Sequence, residues 1–120
     1  MSRFTFRPDR LYGFQTEPVA GRPAIVGTVC ILTSEEIDRF HRGEKAELAK
    51  GKTEVFAWAT LIARHVRAWN VDGEDGTPLP ITPETVLLIP YPEQTQLREI
   101  VTGYQGPYTN PDDPPAAPAA

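Results

Sequence analysis

Cysteine is nearly absent from this 120-residue chain, where Cys30 stands alone. One thiol closes no intramolecular disulfide and assembles no thiolate metal site, so nothing calls for an oxidising compartment and residence in the cytoplasm is expected. Long apolar runs are missing too. The N-terminal stretch MSRFTFRPDR alternates charge with phenylalanine and lacks the apolar run of a signal peptide, and no later stretch approaches the roughly 20 apolar residues of a membrane span. Histidine is scarce: His41 and His65 have neither a third histidine nor a cysteine pair at ligand spacing, so a solvated or capping role is expected for each and no metal site is read here. Excess positive charge is also lacking. With 16 acidic residues against 12 basic ones the formal charge is −4, which argues against a protein whose work is to cover phosphates. The basic set Arg39, Arg42, Lys45, Lys50 and Lys52 encloses Glu44 and Glu47 and has no interleaved aromatics, so no nucleic-acid partner is expected.

What is present suits one α+β domain over residues 1–106, with N-terminal antiparallel β-strands followed by a small helical domain containing one long amphipathic helix. The 40% apolar fraction supplies one modest core. Arg3-Phe4-Thr5-Phe6-Arg7 alternates with period two and predicts a strand. The β-branched run Ala24–Leu32 predicts a second, with Ile25, Val29 and Ile31 on one face, pairing antiparallel with the first. A short extra strand fits near Leu11 to Phe14. Thr33-Ser34-Glu35-Glu36 has the form of a capping box and predicts a helix from Ser34 that is short or breaks near Gly43.

The clearest segment follows. Val55, Ala59, Ile62, Val66 and Trp69 recur at steps of four, three, four and three and form the stripe expected to enter the core. Phe56, Trp58 and Leu61 widen that arc, which makes them the candidate partner-binding residues. The acid-rich turn Asp72, Glu74, Asp75 lacks a calcium-loop pattern, because the twelfth position from Asp72 is Pro83 and not a bidentate glutamate. Thr82-Pro83-Glu84 predicts a short helix through Val86 and Ile89. Glu93 to Thr102 predicts a last one that buries Leu97, Ile100 and Val101 before Gly103. Residues 107–120 form a Pro/Ala-rich segment expected to be a disordered tail. No convergent set of titratable or nucleophilic groups is found, so neither catalytic nor cofactor-binding residues are assigned.

Trp69, Asp75-Gly76, Pro78-Leu79-Pro80, Ile81-Thr82 and Ile89-Pro90 follow one another in an order that resembles the tail assembly chaperones of long-tailed bacteriophages. There an amphipathic helix ends in tryptophan, and an acidic glycine turn, a Pro-Leu-Pro-like strand and a proline-stopped short helix follow. The likeness covers about a third of the chain. It implies a non-enzymatic protein of the host-cell cytoplasm that binds the hydrophobic tape measure protein before the tail tube assembles. It also implies a longer, frameshifted form of the chain as a second partner. The resemblance leaves homo-oligomerisation open, and the alternative reading is a tail or head–tail component retained in the virion.

Overall fold

The computed structural model describes residue 3 and residues 10–103, so the strand expected around Phe4 and Phe6 and the tail expected at 107–120 lie outside the described residues. The elements in chain order are strand β1 (Tyr12–Gln15), strand β2 (Val26–Val29), helix α1 (Ser34–Ala49) and helix α2 (Glu54–His65). Strand β3 (Val66–Trp69), helix α3 (Pro83–Leu88) and helix α4 (Tyr91–Thr102) complete the fold. The chain is α+β: β2 is the centre of a three-stranded antiparallel sheet and the helices pack against it. Among the described residues no helix is long and apolar enough to cross a membrane.

Local chemistry explains several of the helix ends. Thr33 Oγ1 accepts the Glu36 amide at 3.1 Å while Glu36 Oε1 accepts the Thr33 amide at 3.0 Å, the reciprocal capping box that starts α1. Thr53 caps α2 through the Phe56 amide, and Thr82 caps α3 through the Thr85 amide with Pro83 following. Helix α4 stops at Gly103, whose left-handed φ of 86° is favourable only without a Cβ. Beyond the sheet the Cys30 amide donates to His65 O at 2.8 Å and the Leu32 amide to Val101 O at 2.9 Å, so the chain leaving β2 is bound to the ends of α2 and α4.

The core collects Val29 from β2, Ile62 from α2, Val86 from α3, and Leu97, Ile100 and Val101 from α4, all essentially without solvent exposure. Each contributes about 1.5–3 kcal/mol by leaving water. Of the expected stripe, Ala59, Ile62 and Val66 are fully buried and Trp69 is half-buried, its Nε1–H donating to Leu79 O at 3.0 Å.

Several expectations are corrected. Among the described residues the strands that pair with β2 are β3 and Tyr12–Gln15, the latter in the segment expected to hold a short extra strand. The long helix does not reach Trp69: α2 ends at His65, and Val66–Trp69 turns extended to pair with β2. Pairing with a distant strand outweighs the helical spacing there, since Val66 is β-branched and suits either conformation. Val55 is not core but 39% exposed, because it sits in the first turn of α2 past the end of the packed layer. Helix α1 does not break at Gly43; the pairs Arg39–Glu35 and Arg42–Asp38 bridge successive turns, and with the cap they offset the roughly 1 kcal/mol cost of a mid-helix glycine. Helix α4 begins at Tyr91, two residues before the expected start, with Pro92 accommodated in its first turn.

One ion pair anchors the long loop between β1 and β2. The Arg22 guanidinium donates to both oxygens of the buried Glu93 carboxylate, at 2.5 and 2.8 Å. The Arg22 hydrogen bond holds the Glu93 carboxyl below the usual glutamate range, against the opposing effect of burial. A carboxyl held low when folded stabilises fully above its unfolded value, and the contribution is lost as pH falls through the lower folded value. The expected result is a melting temperature that declines below about pH 4.5, the ordinary glutamate value. In Arg22→Gln the buried Glu93 has lost its cation and prefers a proton, so the contribution of this site reverses and favours the fold at lower pH. Thermal melts of both proteins between neutral and acidic pH check this.

Candidate functional site

Helices α1 and α2 form a hairpin joined by the turn Lys50–Thr53, and its geometry follows from a change of chemistry along α1. Ile37, Phe40, Glu44 and Glu47 recur at helical spacing toward α2. The first two are apolar and pack on the core, with the Phe40 ring 4.6 Å from that of Trp58. The last two are carboxylates and cannot close an apolar seam. Helix α1 thus runs 16 residues without fully burying one. Between α1 and α2 lies an open groove of about 560 Å³. Its apolar lining comes from Leu32, Phe40, Phe56, Ala57 and Leu61, while Glu36, Arg39, Glu44 and Glu47 face it from α1 and Lys52 and Arg64 from the other side.

The groove is pinned at both ends. At one, Glu36 Oε2 lies 3.1 Å from His65 Nε2, and His65 Nδ1 lies 3.0 Å from Leu61 O. Each ring nitrogen thus faces an oxygen, one on α1 and one on α2, which fixes the ring between the two helices. Burial would raise the Glu36 carboxyl, but its bonds to Thr33 and His65 outweigh this and hold it below the usual range. At the other end Lys52 Nζ lies 3.3 Å from Glu47 Oε2 and 4.8 Å from the centre of the Phe56 ring. The Thr60 hydroxyl on the groove wall donates to Phe56 O. The chemistry on offer is an apolar floor bordered by paired and unpaired charges.

The three residues nominated for partner binding divide. Phe56 is half-buried and lines the groove. Leu61, 5% exposed, belongs to the core and shows the groove only its edge. Trp58 is corrected outright: it is 8% exposed, closed between Phe40 and the Arg98 guanidinium 4.5 Å from its ring. The wide apolar arc is filled because three helices pack around α2, so little of it remains spare. His65 is likewise buried and not solvated.

A second apolar surface was missed. Leu87, Leu88 and Tyr91 flank the corner between α3 and α4, with Leu88 75% and Tyr91 62% exposed. The Gln94 side chain, 3.4 Å from Val55 O, brings the first turn of α4 to the start of α2, where Val55 is also exposed. The signal was in the spacing: with Val86 and Ile89 facing inward, Leu87 and Leu88 must face out.

Of the basic set, Arg39, Arg42, Lys50 and Lys52 each lie beside a carboxylate. In the acidic turn, Asp75 accepts the Thr77 amide, which lowers its carboxyl and uses it to close the turn. Among the described residues no cluster of three His, Cys, Asp or Glu is placed to hold a metal ion. Compared with known proteins, the chain matches no family model, no curated protein and no solved structure.

Proposed function

We propose that this protein is a tail assembly chaperone of a long-tailed bacteriophage, acting by binding and not by chemistry. It would hold a helical segment of the tape measure protein in the host-cell cytoplasm before the tail tube forms, with a frameshifted longer form of the chain as a further partner. The observation that carries this reading is the open α1–α2 groove, which has an apolar floor and a polar rim and the width left by a helix hairpin that does not close. An amphipathic client helix laid in such a groove hides its apolar stripe and leaves the complex covered with charge. The order of motifs from Trp69 to Pro90 supports the same assignment by resemblance.

Co-expression tests it. The chain is expected to raise the soluble yield of the tape measure protein encoded beside it and to co-purify with it. Phe56→Glu is expected to stay folded, since Phe56 is half-buried on the groove wall, and to lose that effect. The second reading, a structural component of the virion, is favoured by the Leu87–Leu88–Tyr91 corner, an exposed apolar surface of the kind that joins subunits. Under that reading Leu88→Glu would abolish self-association, and mass spectrometry would find the protein stoichiometrically in mature particles. A wild-type protein found there and giving no gain in client solubility would overturn the chaperone reading.

A further inference from the structure

We infer that the α1–α2 groove selects a helical segment bearing a cationic side chain, arginine or lysine, beside its apolar stripe, and that Glu44 is the residue that reads it. The inference rests on the chaperone reading of the groove and adds the chemistry of the occupant.

The charges lining the groove are not equivalent. Glu36 is engaged by the Thr33 amide and the His65 ring, and Glu47 by Lys52. Arg39 pairs with Glu35, and Arg64 is exposed to solvent, where its charge is screened. Glu44 differs. Its side chain is only 17% exposed, its Oε1 reaches no nearer than 3.7 Å to His41 Nδ1, and its Oε2 is sealed from solvent without a hydrogen-bond donor. An ionised carboxylate in that position has given up water and gained little in return. The free protein therefore carries an unmet demand for a donor at the middle of the groove's acidic wall. A glutamate has rotatable bonds enough to turn an oxygen toward a cation arriving over Phe40 and Phe56. The resulting pair forms in a partly desolvated site, where a charged hydrogen bond counts for more than it does on an open surface. A purely apolar helix would cover Glu44 and leave the demand unmet, so it is discriminated against.

The probes are two synthetic 18-residue Leu/Ala/Gln helices with the same leucine stripe, one with a single arginine beside the stripe and the other with glutamine at that place. Binding is read by fluorescence anisotropy of the labelled peptides. Wild type is expected to bind the arginine peptide at least about tenfold tighter. Glu44→Gln, with unchanged circular dichroism and an unfolding midpoint no lower than wild type, is expected to bind both alike, and Glu44→Lys to prefer the glutamine peptide. Equal affinity of wild type for the two peptides would overturn the role of Glu44 while leaving the groove as a helix site. Failure to bind either would overturn this inference together with the groove as the docking surface.

Discussion

Trp58→Ala is expected to cost about 3–5 kcal/mol of stability, the range for truncating a large buried aromatic. The indole is covered by Phe40 from α1 and by Arg98 from α4, so its removal opens a cavity where three helices meet and ends a cation–π contact as well. Chemical denaturation checks the value. Phe56→Ala, two residues away and so on the other face of α2, along the groove wall, is the contrast: its side chain is half-exposed and its loss should shift the midpoint much less. If the two variants were equally stable, the division of α2 into a core face and a groove face would be wrong.

Gly27→Ala is the second large effect. A Cβ at this position of β2 would lie 1.9 Å from the Ala68 carbonyl oxygen and 3.0 Å from the Phe14 ring. The first of these is backbone of the paired strand and cannot swing aside. Strands β2 and β3 must separate or the local register must change, at the cost of an overpacked core, about 1–3 kcal/mol or more. Loss of amide protection in β3 by hydrogen exchange, together with a lower melting temperature, is the expected result. A variant with native protection at Ala68 would show that the sheet absorbs the methyl group.

What was legible in the sequence, and what was not, divides along local and non-local causes. Thr33 with Glu36, Thr82 with Pro83, and Gly103 act on amides and carbonyls a few residues away, and each marks a helix end where it was expected. The inward faces of α3 and α4 were equally readable from their spacing. The end of α2 was not, because His65 to Trp69 satisfies a helical stripe, and only pairing with Gly27, Thr28 and Val29 makes it a strand. Gly27 itself sits inside a β-branched run that reads as an ordinary strand, although a strand glycine often marks a close approach of another backbone. The site was half visible. Phe56 was named for its place on the arc, but Trp58 and Leu61 are filled by neighbours that the stripe of α2 cannot reveal. The groove arises from Glu44 and Glu47 replacing apolar residues on the continuation of Ile37 and Phe40, a pattern hidden by the expectation that Gly43 ends the helix. Arg22 and Glu93 come from opposite ends of the domain, and nothing local connects them.

The helix hairpin leaves the sheet on β2 and returns on β3, with the Cys30 amide bonded to His65 O at the point of departure and return. Its two ends are therefore clamped about one strand spacing apart, roughly 4.8 Å. That makes α1 and α2 a cassette held by a fixed socket. Residues added in the turn Lys50–Thr53 lengthen or reshape the cleft without disturbing the socket, since each doubling of a flexible connection costs only about 0.6 kcal/mol. A single residue added between His65 and Val66 would instead shift every side chain of β3 to the opposite face of the sheet. The hairpin is thus free to change in length at its tip, while its base remains of fixed length.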